Sequence, residues 1–473
     1  MNAFDALVVG GGVAGLFCAA SLAEAGMRVC VLEARAIPGG RARSWSDGAS
    51  GLEVDIGPHV ISSEHGNFLR MLERLGTAGD ISWQPDTMVD LLDAGEVLSI
   101  ANVRWTPPFH GLPNLPVALR RLSLRDALSH ARLAWHAARE NEQSLRLLDT
   151  QDACSYLRRM GVTERAIDWF WRSAMLALLN LPLEHCSAAS VMRIFRLMLG
   201  RSGYHFGFPR VGLSALYVPG CTATIRKHGG HVVTGTAVRS LQVTGEAVSG
   251  VRLRDGSLLH ATTCVLALPP WHLAPLLART GAPALAGLHQ VAGQFAGAPY
   301  QCTYLWLDQR VTRQRFWARV WNPDDLNTDF YDLANIRPDL AAGNSLIACN
   351  AIGPNVRPEW SDGQVIARTL EELAEFAPQA REARVLHARV HRIRGAIPQA
   401  RPDTETLRPP NATAVRGLLL AGDWTDTAIP CSMESAARSA ALAADAVLGG
   451  SRALPAPETY GLPGLLRRKE RQP

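Results

Sequence analysis

Three glycines and one acid carry the first recognisable chemistry. Gly10, Gly12 and Gly15 stand in G-x-G-x-x-G spacing within Gly10-Gly11-Gly12-Val13-Ala14-Gly15, and Glu33 follows about 20 residues on. In this pattern the first glycine permits a tight strand-to-helix turn. The second lets the backbone approach a pyrophosphate, and the third lets the helix pack close on a sheet. Val13 and Ala14 then occupy a first helical turn, where free N–H groups and the positive dipole end attract phosphate. A carboxylate at Glu33 accepts ribose hydroxyls. The chemistry is dinucleotide binding.

The elements that must position these residues surround them. Ala6-Leu7-Val8-Val9 is a short apolar run of the kind that forms a buried parallel strand. Leu16 to Ala25 reads as a helix of small and apolar residues, and Met27 to Leu32 as a second strand ending on Glu33. Strand, glycines, helix, strand and acid in this order are specific where glycines alone would be weak. Ala34 follows, then Gly39-Gly40-Arg41-Ala42-Arg43. Two glycines free this loop to fold over a phosphate, and the arginines can neutralise it or lock the loop.

The chain has 473 residues, too many for one simple core, so two or three intertwined subdomains are expected. With 47% hydrophobic and 19% charged residues it is globular and somewhat apolar. A net charge of +5 is small for this size and gives no case for nucleic acid. The nine cysteines are scattered singly, without a C-x-x-C pair, which fits reduced thiols and argues against a structural metal. No run reaches the length of a transmembrane helix, so membrane contact is expected to be peripheral.

Further along, Glu53 to Val60 reads as a strand entering a turn at Gly57-Pro58, with His59 either at the cofactor, at the substrate or capping the turn. Residues 107–148 mix Arg120, Arg121, Arg125, Arg132 and Arg139 with leucines and Trp135. This is either a helix resting on an anionic membrane or an ordinary exposed amphipathic pair. Gly417 to Trp424 is a strand ending in Gly422-Asp423. A small-residue helix then runs from Pro430 to Leu448, beginning with Cys431, Ser432 and Met433.

Glu33 with Gly39-Gly40-Arg41 resembles the start of flavoproteins of the amine oxidase, phytoene desaturase and protoporphyrinogen oxidase group. The resemblance implies FAD, with Ala34, Ala42, Gly57, Pro58 and His59 near it and Val238, Ala267, Leu268 and Pro269 returning beside the adenine. It places Asp423 on the ribityl chain or pyrophosphate, and the helix start at Cys431 to Met433 toward the flavin. Asp55 to Val60, Phe170-Trp171-Arg172, Phe208 to Leu213 and Gly422 to Thr427 are similar to the squalene-associated, FAD-dependent desaturase group, the hydroxysqualene dehydroxylases of hopanoid biosynthesis. The fold implied is α/β. A Rossmann-type, glutathione-reductase-like FAD domain is expected from 1–80, 226–270 and 411–450, interleaved with a mixed-sheet substrate domain at 81–106 and 271–410. A helical, membrane-associating subdomain at 107–225 and a flexible basic tail at 451–473 complete it.

The activity implied is hydride transfer between FAD and an apolar isoprenoid, with hydroxysqualene reduction, phytoene-type desaturation and amine oxidation as the alternatives. Phe170, Trp171, Trp306 and Trp317 are candidates to line an apolar tunnel, and His59 is the candidate catalytic residue. The expected setting is cytoplasmic, peripheral on the inner face of the cytoplasmic membrane, with a redox partner that nothing in the chain identifies.

Overall fold

The strand Ala6–Val9 lies at the centre of a five-stranded parallel sheet, ordered His231–Val233, Val29–Leu32, Ala6–Val9, Thr263–Leu266, Leu418–Leu420. Every residue of Ala6–Val9 and Val29–Leu32 is buried, because helices or strands cover both faces of the sheet. One face carries the helices Val13–Glu24, Val218–Lys227 and Met433–Leu448 in a common apolar cluster. The other packs against the antiparallel strands Val238–Thr244 and Ala247–Leu253 and the helix Pro270–Thr280. This computed structural model describes residues 4–84, 86–337, 340 and 343–467.

A second, seven-stranded sheet is ordered Val385–Pro398, Gly297–Leu307, Leu346–Ile352, Asp329–Asp332, Phe316–Arg319, Thr87–Asp93, Glu96–Ala101. Its pairs are antiparallel except Phe316–Arg319 with Thr87–Asp93. Side chains alternate across a strand, so Gly297–Leu307 feeds two cores. Cys302, Tyr304 and Trp306 join Val54 and Phe208 on an inner face. Leu305 and Leu307 join Leu373 and Ala374 of the helix Asp362–Phe376 on an outer face.

The region from 107 onward is helical, but its boundaries differ from expectation. The amphipathic stretch is broken into Leu115–Ala118, Leu124–Leu128 and Ala131–Arg139, with Ser123 and Asp126 forming a capping box that starts the middle piece. Arg120 pairs with Glu96 and Arg121 with Asp93, so these two cations are already partnered. The helical region ends with Ala188–Gly200 rather than at 225. Phe206–Pro209 pairs with Ile61–Ser62 and Ile81–Gln84 in a three-stranded sheet. Val218–Lys227 joins the first sheet through Cys221 and Ile225. The expected flexible tail is also corrected. Leu454 N–H donates to Asn67 Oδ1 at 2.8 Å, Tyr460 O–H donates to the Ser202 carbonyl at 2.9 Å, and Gly461–Leu466 is a helix. The tail beyond 467 lies outside the described residues.

A buried ionic cluster fastens the helical region to the last sheet strand. Arg193, 2% exposed, pairs with Glu142 and Glu405, and Ser190 O–H donates to Glu405 Oε1 at 3.0 Å. Arg408 completes it, donating to the carbonyls of Ile429 at 2.8 Å, Asp423 at 2.9 Å and Thr425 at 3.0 Å. Burial works to raise the Glu405 carboxyl, but Arg193 and Arg408 outweigh it and hold it at about 2 against an ordinary 4.5. A depressed carboxyl contributes stability that is complete above its unfolded pKa and lost as pH falls toward the folded one. Circular dichroism should therefore show stability declining between pH 4.5 and about 2. Glu405→Gln should flatten that decline and cost about 3 kcal/mol near neutrality.

Candidate FAD site

The glycine turn leaves room at the end of the central strand. Gly10 has φ 110°, and a Cβ there would lie 2.4 Å from the Ala267 carbonyl oxygen. A Cβ on Gly15 would lie 1.9 Å from the Gly10 carbonyl oxygen, so only glycine lets the helix sit this close. The helix Val13–Glu24 starts at Gly12 with no side-chain cap and no acid in its first turn, which leaves its N–H groups for an anion. Glu33 is fixed beside them. Its Oε2 accepts from Gly11 N–H at 2.8 Å and its Oε1 from Arg35 N–H at 2.9 Å. Each oxygen keeps a lone pair for a ribose hydroxyl. Ala34 is exposed just beyond.

The Gly39–Ala42 loop folds back over this turn. Gly39 N–H donates to the Gly11 carbonyl at 2.7 Å. Gly40 faces Gly12 closely enough that a Cβ on it would be 3.1 Å from Gly12 Cα. The buried Tyr217 hydroxyl reaches the carbonyls of Gly39 at 2.8 Å and Ala42 at 3.1 Å, pinning the loop from below. Two facing glycine backbones without side chains form a cradle of the kind a pyrophosphate occupies. Ala267 N–H donates to the Val9 carbonyl at 2.8 Å, the Leu268 carbonyl accepts from Trp424 Nε1 at 3.1 Å, and Pro269 caps the helix Pro270–Thr280. Thr236 N–H donates to the Glu33 carbonyl at 2.9 Å, which brings the strand starting at Val238 alongside.

The last segment closes the cradle through a charge pair. Arg41 donates from Nη1 to Asp423 Oδ2 at 3.0 Å and from Nη2 to Oδ1 at 2.6 Å, across 382 residues of sequence. Its guanidinium also sits 5.6 Å from the centre of the Trp271 ring. Burial pulls the Arg41 pKa down, and Asp423 more than offsets this. Each Asp423 oxygen accepts one bond from Arg41 and keeps a lone pair. Gly422 holds φ 154° against Trp424. Cys431, Ser432 and Met433 are half-buried at the start of Met433–Leu448. Unlike the first helix, this one is capped by a side chain, with Ser432 Oγ accepting from Ser435 N–H at 3.1 Å.

The segment after Asp55 lies over the inner face of the seven-stranded sheet. Asp55 accepts from Ser44 O–H at 2.6 Å and Leu213 N–H at 2.8 Å and pairs with the buried Arg337. Gly57 is needed because a Cβ there would be 2.9 Å from the Tyr300 ring. Pro58 is buried, and His59 Nδ1 lies 2.8 Å from the Gly57 carbonyl, so Nδ1 carries the proton and donates it. Burial pushes the His59 pKa down. The ring is thereby fixed at the Gly57 turn, with Nε2 as its other polar atom.

Of the aromatic candidates, the structure brings only Trp306 to this face, 4.7 Å from His387 and 6.0 Å from Tyr304 between ring centres. Trp317 is fully buried on the opposite face, stacked on Phe330 at 5.3 Å and Phe376 at 4.3 Å. Phe170 and Trp171 pack in the helical core, where Trp171 Nε1 donates to His130 Nε2 at 3.1 Å. These three pack in cores away from the inner face. The inner face instead carries Tyr300, Phe206, Phe208, Phe316 and Tyr331. Strand alternation signals such residues, but not which of the two faces they take.

Glu33→Ala and Arg41→Ala proteins should purify folded but depleted of FAD. Titration with free FAD should show affinity weakened at least about tenfold, as expected when a charge-assisted contact worth ~1.5–3 kcal/mol is lost. Full visible absorbance in both variants would refute this cradle.

Comparison with known proteins agrees with this geometry. Residues 13–448 match the family described as flavin containing amine oxidoreductase. The chain is 28% identical over 468 residues to a hydroxysqualene dehydroxylase of Rhodopseudomonas palustris, covering 94% of this chain and 99% of the relative. It is 24% identical over 458 residues to a chloroplastic/chromoplastic 15-cis-phytoene desaturase of an Oncidium hybrid cultivar, covering 94% and 78%. Its fold superposes on an oxidoreductase of Methanosarcina mazei with a TM-score of 0.70 at 20% identity, covering 94% of this chain and 100% of the other. A cradle of paired glycines, a ribose-binding acid and matching sequence across both ends of the chain place this protein in the flavin containing amine oxidoreductase family, as an FAD-dependent oxidoreductase.

Proposed function

We propose that this enzyme reduces hydroxysqualene to squalene, replacing an allylic hydroxyl by hydride. The observation that carries the reading is the inner face of the seven-stranded sheet. Phe206, Phe208, Phe316, Tyr304, Tyr331 and Trp306 cluster there with Val54, Leu333 and Leu346. Most of these side chains are already packed against one another, so an isoprenoid chain seated here gains from the area that Phe206 and Tyr300 still expose, at ~25 cal/mol for each Å² of apolar area removed from water. It also excludes the water that would capture a carbocation. End-to-end similarity to dehydroxylases supports the same reading, since the Rhodopseudomonas palustris relative is covered over 99% of its length.

Gly12, Gly40, Glu33 and Arg41 would hold FAD, which when bound and reduced would supply the hydride. The chain's own residues bind the isoprenoid, keep it dry and manage the proton. The same apolar face also suits oxidative desaturation of a polyene, the second reading, which the similarity to phytoene desaturases favours.

Access from a lipid surface is part of the proposal. Trp105, Phe109, Leu112, Leu462 and Leu465 are exposed. They form one surface, because Leu462 N–H donates to the Pro107 carbonyl at 3.3 Å and Gly461 abuts that carbonyl. Among the described residues no helix is long and apolar enough to cross a membrane. Apolar side chains on such a surface suit insertion at a lipid interface.

Two experiments test this. Anaerobic incubation of the FAD-reduced enzyme with hydroxysqualene should yield squalene and oxidised flavin. New conjugated double bonds from phytoene with the oxidised enzyme would favour the desaturase instead, and bleaching by primary amines alone would refute both. Co-sedimentation with anionic vesicles should fall several-fold in a Trp105→Ser, Phe109→Ser, Leu465→Ser protein that keeps its FAD.

A further inference from the structure

The proposed reaction needs a proton for the departing hydroxyl, and the His59 Nδ1 is already engaged by the Gly57 carbonyl. Asp329 begins the strand Asp329–Asp332, opposite Asn350 on one side and Ala318 on the other. Its carboxylate turns to the inner face, where Oδ2 accepts from Tyr331 O–H at 2.7 Å and from Asn350 Nδ2 at 3.0 Å. Oδ1 lies 3.0 Å from Thr328 Oγ1. That hydroxyl has a single proton, and the Asn350 carbonyl at 2.9 Å competes for it. One oxygen is thus saturated by donors while the other is left to carry a proton.

The surroundings suit an acid. Asp55, on the same face, is paired with Arg337, whereas among the described residues no ion pair engages Asp329. Asp329 and Tyr300 keep partial exposure on a face that is otherwise closed by aromatic rings. The Tyr300 ring rests against Gly57, two residues before His59, and its hydroxyl is close enough to Asp329 to feel its charge. The titratable groups facing Asp329 are Tyr300 and Cys302 of Gly297–Leu307, two strands away across Leu346–Ile352, and Tyr331 of its own strand. Burial pushes all three up, so they stay neutral near pH 7. Burial likewise raises the Asp329 carboxyl, against the hydrogen bonds from Tyr331, Asn350 and Thr328 that favour its anion. Beyond Tyr300 stand His59 and the Asp55–Arg337 pair.

We propose that Asp329 is the catalytic acid that protonates the leaving hydroxyl, an inference that rests on the substrate being an allylic alcohol. The proton moves from Asp329 Oδ1 to the hydroxyl oxygen. The C–O bond breaks with its electron pair leaving on water, and the allylic cation is closed by hydride from reduced FAD, the reductant of the reaction. The carboxylate left behind is held by the donors already placed at Tyr331, Asn350 and Thr328, so charge develops where hydrogen bonds await it. Water from bulk solvent returns the proton after product leaves.

The test is Asp329→Asn in the FAD-loaded protein, with Asp329→Glu as the conservative companion. Squalene formation should fall about 10²-fold or more in the asparagine variant, the usual worth of a positioned acid, with FAD content unchanged and part of the rate restored by glutamate. The wild-type rate should fall as pH rises through the raised Asp329 pKa, because the protonated form is the active one. A readout independent of reduction is exchange of the hydroxysqualene oxygen with isotopically labelled water on the oxidised enzyme, expected in wild type and absent in Asp329→Asn. If wild type is active and Asp329→Asn matches it in turnover and exchange, the role of Asp329 is overturned alone. Wild-type protein that leaves hydroxysqualene untouched in both assays overturns the substrate reading instead.

Discussion

A parallel sheet closed by strands from remote parts of the chain is the constraint on which the rest depends. Ala6–Val9 is satisfied on one side by Val29–Leu32 and on the other by Thr263–Leu266, and that strand in turn by Leu418–Leu420. Parallel partners cannot be joined by a tight turn. Everything between them must therefore leave the sheet and return to its far end, and the helical region and seven-stranded sheet are these excursions. The carboxyl ends of the strands then converge. Glu33, Ala267 and Gly422 each follow the end of a different strand, where open α/β sheets bind their ligands.

Convergence alone would leave loops free to splay, and buried charge prevents it. Arg41 and Asp423 join the first and last flavin segments by two hydrogen bonds. Arg408 ties the Asp423, Thr425 and Ile429 carbonyls to Glu405, and Glu405 to Arg193 of the helical region. Such pairs contribute little net stability when whole and cost heavily when broken. Their effect is to make one arrangement of the three regions far better than any other.

The substrate side follows a different physical logic. Its face is apolar except where a polar group is matched. Asp55 is neutralised by Arg337, and Asp329 is surrounded by neutral donors without a cation. Burial raises the Asp329 carboxyl, and the hydrogen bonds from Tyr331, Asn350 and Thr328 favour its anion.

How much of this was legible in the chain depends on the range over which each residue acts. Gly10, Gly12, Gly15 and Glu33 work within one strand–helix–strand unit, so their spacing carries their geometry, and the helix Asp362–Phe376 announced itself by periodicity. Trp306 and Trp317 could not be told apart, because alternation says that a strand has two faces and not which layer will cover each. Nothing local to Asp423 announces that the fold brings Arg41 to it from 382 residues away. Asp329 has no local signature at all, since its donors come from its own strand and from Asn350 on the next. The sequence by itself determined the cofactor cradle, where local backbone sterics decide. Only the tertiary structure decided which sheet face each aromatic side chain takes and which carboxylates find a cation, as Asp55 finds Arg337 and Asp423 finds Arg41, because burial and pairing are properties of neighbours that folding supplies.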